Sequence, residues 1–154
     1  MEISSFVSLE AVVLDVSAPD KKQLLQILAQ RIARIASLDE RSVFDVLLQR
    51  ERLGTTGVGR GVAIPHGRIA NLDRVYGLFA RLKPPIDFEA PDKEPVDLVF
   101  LLLAPAAAGA DHLNALSRVS GLLRDTALGE KLRNAPDAKT AFAVLTAETA
   151  SQAA

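Results

Sequence analysis

The apolar positions of this chain change period several times along its length, and those changes mark out its elements. Leu24, Leu28, Ile32 and Ile35 recur at three- and four-residue spacing, with Leu25 and Ile27 widening the stripe, which predicts an amphipathic helix. Ser17, with the acid Asp20 three places on, predicts its cap. Asp39 opens a second helix carrying Val43, Phe44, Leu47 and Leu48 on one side and Arg50, Glu51 and Arg52 at its end. Cations in a last turn complement the helix dipole, so basic residues there need no functional explanation.

The period then shortens. Residues 62–65 predict a short strand, and 75–82 alternate in the manner of a second strand that Pro84-Pro85 ends. Residues 96–103 are almost all apolar, as a central strand covered on both faces would be. Residues 105–110 read as an alanine-rich loop, with Asp111 capping a third helix that bears Leu113, Leu116, Val119 and Leu123. Shorter helical patterns cover 127–134 and 137–145, and 146–154 predict a frayed tail. Helices before and after a group of strands predict an α/β fold. It is a single domain over 1–154, with its core at about 9–145 and a small mixed β-sheet between helix layers.

Composition narrows the chemistry. The chain has 154 residues, 49% of them hydrophobic and 24% charged, which is enough for a real core and unlike a disordered or fibrous chain. Eighteen Lys+Arg against nineteen Asp+Glu leave a net charge of −1, so there is no global field to attract nucleic acid. The absence of Cys removes disulfides, thiolate metal sites and cysteine nucleophiles. An acid at position 2 argues against a signal peptide. The most apolar stretch, 98–108, contains Pro105 and falls well short of the roughly twenty residues a spanning helix needs. No membrane insertion is expected, and the expected location is the cytoplasm.

Only two histidines occur, His66 and His112. Pro65 stiffens the chain before His66 and Gly67 is expected to let it turn straight afterwards. Five arginines (50, 52, 60, 68 and 74) face two acids (Glu51 and Asp73) across this stretch, a local balance of +3. Arginine forks match phosphate oxygens, and closely spaced glycines can aim backbone N–H groups at an anion. A neutral imidazole among them can act as a phosphorus nucleophile. The same residues also read as a turn histidine, a connecting loop and a solvated surface. No G-x-x-x-x-G-K-[ST], G-x-G-x-x-G or G-x-S-x-G occurs. A metal site would need a carboxylate ligand that the sequence does not nominate, so neither metal nor cofactor is expected.

The run from Arg50 through Thr55-Thr56-Gly57-Val58-Gly59 to Ile64-Pro65-His66-Gly67-Arg68 resembles the signature of the mannitol/fructose-type IIA domains of the bacterial phosphotransferase system. Within that family it is most similar to the freestanding, nitrogen-type regulatory branch. The resemblance spans roughly 9–145 and implies a mixed sheet between helix layers. It implies His66 as phosphoacceptor through Nε2, an HPr-like phosphocarrier as donor, and His112 and Arg50 beside it. Thr56 matches a hydroxyl in the family turn, and Gly57 and Gly59 are carried along as candidate phosphoryl contacts. Two departures stand out: Thr55 replaces a common Ser, and Arg60 replaces a frequent neutral residue such as Asn, adding charge near His66. Arg68 remains unassigned.

Three functions stay open. A phosphocarrier could act as a regulator, its phosphorylation state read by partner proteins in nitrogen, carbon or potassium physiology. A sugar-specific IIA component would instead pass phosphoryl to a IIB domain. A docking module could use the fold with no phosphorylation at all.

Overall fold

The strand Val96–Pro105 forms the spine of the molecule, because its run of apolar residues can be satisfied only by cover on both faces. Leu98 through Leu103 are completely buried. The computed structural model describes residues 2–107 and 109–153. In chain order its strands are β1 (Val12–Val16), β2 (Gly57–Gly59), β3 (Val62–Ala63), β4 (His66–Ile69), β5 (Tyr76–Ile86) and β6 (Val96–Pro105). The α-helices are α1 (Lys21–Ala36), α2 (Glu40–Leu53), α3 (Gly109–Leu123), α4 (Thr126–Asn134) and α5 (Ala138–Ala153). Together they make one α/β domain around a six-stranded mixed sheet ordered β1-β5-β6-β3-β2, with β4 also on β6.

β5 pairs antiparallel with one edge of β6, while β3 and then β4 run parallel along the other. Between them the Pro65 carbonyl accepts from Leu102 N–H at 2.9 Å, so the ladder continues through a residue that has no N–H to give. His66 pairs with Leu102 and thus stands on the continuation of a strand, against the most buried strand of the sheet. Gly67 does not turn the chain as expected; it lies inside β4. A Cβ there would collide with Val46 Cγ1 on α2, so glycine is what lets that helix press onto the strand. The pleat sends His66 and Arg68 to the opposite face.

The helices follow the expected order with shifted ends. Asp20, rather than Ser17, caps α1, accepting from Gln23 N–H at 2.8 Å. The buried stripe of α1 is Leu24, Leu25, Leu28, Ala29, Ile32 and Ala33, leaving Ile27 on the outside. Asp39 caps α2 as predicted. Pro84-Pro85 does not end β5, which reaches Ile86. The pairing with β6 breaks register between Arg81 and Ile86, where a missing ladder N–H costs little. Asp111 sits within the first turn of α3 rather than at its cap, and the expected loop at 105–110 narrows because β6 includes Pro105 and α3 begins at Gly109. Ala108 lies outside the described residues. Leu113 is 63% exposed, and the buried side of α3 carries the expected Val119 and Leu123 together with His112, Ala115 and Leu122. The expected fray from 146 is helix as far as Ala153, an alanine-rich run whose intrinsic propensity is high; residue 154 lies outside the described residues.

Candidate active site

His66 enters the site from the first position of β4, half-buried, with its Nδ1 2.8 Å from the carbonyl oxygen of Ile64. A carbonyl can only accept, so Nδ1 carries the proton and the lone pair of the neutral ring is on Nε2. Burial holds the His66 imidazole below its ordinary pKa. The Ile64 carbonyl opposes that shift, the Arg50 guanidinium adds to it, and the Glu51 carboxylate works against it. The net result is a neutral imidazole at pH 7 with a free nucleophilic nitrogen.

His112 arrives from the first turns of α3, its ring centroid 5.7 Å from that of His66 at an interplanar angle of 59°. It is 7% exposed. Arg68 Nε donates to its Nδ1 at 3.2 Å, while its Nε2 is buried with no hydrogen-bond partner among the described residues. Burial, then the proximity of His66 and Arg68, lowers its pKa, so this ring is also neutral at pH 7.

Arg50 reaches the site from the last turn of α2, where its Nη1 donates to the Gly54 carbonyl at 2.9 Å. That contact folds the guanidinium back over the end of its own helix, within electrostatic range of His66. Behind it Glu51 is buried. Its carboxylate accepts from Thr56 N–H at 2.8 Å and from the Thr56 hydroxyl at 2.5 Å, and meets Lys21 Nζ at 3.2 Å. The arrangement is a bare imidazole nitrogen beside a guanidinium and a second neutral histidine, all held by secondary structure. Such a site can accept a phosphoryl group on nitrogen, since that chemistry asks mainly for positioning and charge stabilisation.

Comparison with known proteins supplies the context. Residues 5–148 match the family described as "Phosphoenolpyruvate-dependent sugar phosphotransferase system, EIIA 2". The chain is 55% identical over 145 residues to the nitrogen regulatory protein of Bradyrhizobium diazoefficiens, covering 94% of this chain and 95% of that one. The chain belongs to the EIIA 2 family. The crystal structure of the nitrogen regulatory protein IIA-Ntr from Neisseria meningitidis superposes with a TM-score of 0.89 at 40% identity, over 94% of this chain and 99% of that one. A fructose-specific EIIA component from Haloferax volcanii is 37% identical over 145 residues, 94% of either chain.

Within this EIIA 2 domain the structure brings His66, His112 and Arg50 together as the sequence suggested, and it handles the remaining candidates differently. Thr56 is buried and spends both donors on Glu51, so its hydroxyl is a brace for the turn rather than a free phosphoryl contact. The Gly57 N–H is taken by Thr55 Oγ1 at 3.0 Å, and a Cβ on Gly57 would press on Ala90. Gly59 faces the Asp92 carboxylate, which would repel a phosphoryl group. These glycines build a hairpin, not an anion cradle. Its two-residue turn, Arg60-Gly61, has positive φ at both positions (57° and 79°), as a type I′ turn requires. Asn suits that first position better than Arg does. Arg60 Nη1 goes to the Arg124 carbonyl beyond α3, 3.4 Å away, rather than adding its charge at His66. Arg68, unassigned from the sequence, contacts His112, and Glu51, which the sequence did not single out, braces the turn before His66. The alternation along β4 could have flagged Arg68, two positions from His66 and on the same face.

Proposed function

We propose that this EIIA 2 protein is a phosphocarrier whose His66 Nε2 reversibly accepts a phosphoryl group from the phosphohistidine of an HPr-like protein in the cytoplasm. The observation that carries this reading is the Nδ1–H of His66 on the Ile64 carbonyl, which leaves Nε2 as the one nucleophilic ring nitrogen. In the transfer the Nε2 lone pair forms the new N–P bond while the donor's N–P bond breaks. The leaving electron pair stays on the donor imidazole, which departs neutral if it was protonated on its other nitrogen. The positive charge then rests on the His66 ring, stabilised through Nδ1–H by the Ile64 carbonyl. Arg50 offsets the charge on the phosphoryl oxygens.

The high identity to a nitrogen regulatory protein favours signalling as the use of this phosphoryl group, with the roughly two negative charges of the phosphohistidine read by partner proteins. The likeness to a fructose-specific component supports a second reading, onward transfer to a IIB domain. The test is intact-mass and alkaline site-mapping analysis after incubation with a phosphorylated HPr-like carrier. One acid-labile phosphoryl group, absent from His66→Ala, is expected. No transfer to the wild type from a competent donor would overturn the proposal and leave a docking module.

A further inference from the structure

The hydrogen bond from Arg68 to His112 fixes more than a side-chain position. A guanidinium has only donors, so the Arg68 Nε–H at 3.2 Å obliges His112 Nδ1 to be the acceptor, and the proton of the neutral ring must be on Nε2. That Nε2–H is buried and has no partner among the described residues, although orphaned buried donors are rare and costly. The neighbouring His66 holds the opposite tautomer, with its proton on Nδ1 and its Nε2 bare. The two rings lie 5.7 Å apart between centroids, and no hydrogen bond joins them. One ring presents an unused acceptor and the neighbouring ring an unused donor.

We propose that Arg68 is a positioning residue, which locks His112 in the Nε2–H tautomer and in one ring orientation so that this donor is ready for an oxygen of the phosphoryl group on His66. The inference rests on the phosphocarrier reading for its purpose, but its first step, the tautomer lock, stands on geometry alone. Arg68 is exposed and its backbone is held in β4 by pairing with Ala104, so its side chain can be changed without disturbing the core. His66 and Arg68 share a face of β4 because they are two residues apart, and α3 brings His112 to that face. No other hydrogen bond to the His112 ring is present among the described residues. Without Arg68 no hydrogen bond there keeps the proton off Nδ1.

The experiment pairs two variants. Arg68→Met keeps the stem and removes every donor; Arg68→Gln removes the charge but keeps an N–H that can reach His112 Nδ1. Long-range ¹H–¹⁵N correlation spectra of the histidine rings report the tautomer directly, without any phosphoryl donor. The wild type is expected to show His112 wholly as Nε2–H, Arg68→Met a mixture with Nδ1–H, and Arg68→Gln the wild-type pattern. In parallel, transfer from a phosphorylated HPr-like carrier is expected to slow about two- to tenfold in Arg68→Met, the range for one net hydrogen bond, and to recover in Arg68→Gln. A single Nε2–H tautomer in Arg68→Met would overturn the lock. Equal slowing in both variants would also overturn it, in favour of a plain charge effect of Arg68. Failure of the wild type to accept phosphoryl would count against the phosphocarrier function and against the purpose assigned to the lock, while leaving the spectra to decide the lock itself.

Discussion

Thr56 gives both its backbone N–H and its hydroxyl to a single buried carboxylate, that of Glu51, at 2.8 and 2.5 Å. The pair closes the five-residue path from the end of α2 into β2, and Lys21 of α1 supplies the countercharge at 3.2 Å. Lys21 in turn reaches Glu89 at 3.0 Å, tying α1, α2 and the loop after β5 to the turn that precedes His66. His66 is therefore mounted on a polar clamp as well as on the apolar sheet.

Removing the carboxylate should be costly. In Glu51→Ala the two Thr56 donors lose their acceptor inside the protein and Lys21 loses one of its two carboxylate partners. A loss of about 3 kcal/mol is expected, read from urea unfolding. Glu51→Gln preserves the shape and one acceptor oxygen, so it should lose roughly half as much. Equal stability of Glu51→Ala and wild type would mean that the clamp contributes nothing.

The type I′ turn of the β2–β3 hairpin gives a prediction of the opposite sign. Arg60 has φ of 57°, a conformation that costs most side chains on the order of 1 kcal/mol and that Asn tolerates. Its own side-chain contact, to the Arg124 carbonyl at 3.4 Å, is long and exposed. Arg60→Asn should therefore raise stability by about 0.5–1 kcal/mol in thermal unfolding while leaving phosphoryl acceptance at wild-type level. A marked fall in acceptance would show that the Arg60 charge matters to His66 or to docking after all.

The core elements were legible in the sequence because they rest on periodicity, which is a local property: Leu24, Leu25, Leu28 and Ile32 of α1, the run of β6 and the Asp39 cap all stand where the pattern put them. That His112 and Arg50 lie near His66 was expected on a different ground, the family resemblance, and the structure sets both close to it. What escaped depends on contacts between distant residues. Gly67 looked like a turn residue until α2 was seen to press Val46 against it. Thr56 looked like a free hydroxyl because its partner, Glu51, belongs to the preceding helix and nothing local says that its carboxylate folds inward. Arg68 meets His112 across 44 residues. The prolines of β5 misled because a register break in the pairing with β6, invisible in the sequence, removes the demand for their missing N–H groups.

Acid should loosen the fold through the two site histidines. Both imidazoles are held below their ordinary value of 6.5, burial being the largest cause in each case. Below about pH 6.5 the unfolded chain takes up protons that the folded rings refuse, so stability is lost as the pH falls from there through the folded-state values. Above that range both states are neutral and these groups leave stability flat. The double variant His66→Gln, His112→Gln should weaken this dependence between pH 7 and 5, measured by urea unfolding at each pH. An unchanged slope would assign the acid sensitivity to other groups.

The proposed phosphoryl transfer would need a docking surface around His66. Large exposed apolar side chains in the structure include Leu53, Val58 and Leu113, at 86%, 52% and 63% exposure. Leu53 precedes Gly54, whose carbonyl anchors Arg50; Leu113 follows His112; Val58 sits on the exposed side of β2. Apolar side chains left in water next to polar site residues are what a transient protein contact can bury, and their replacement should act on association rather than on folding. Leu53→Glu and Leu113→Glu are each expected to lower the second-order rate of transfer from an HPr-like carrier by roughly tenfold, with stability changed by less than about 0.5 kcal/mol. Leu9→Glu, at a residue 45% exposed on the N-terminal segment, is the control and should transfer at the wild-type rate. If all three variants behave alike, the apolar residues beside Arg50 and His112 are ordinary surface, and recognition of the donor must rest on the charges instead.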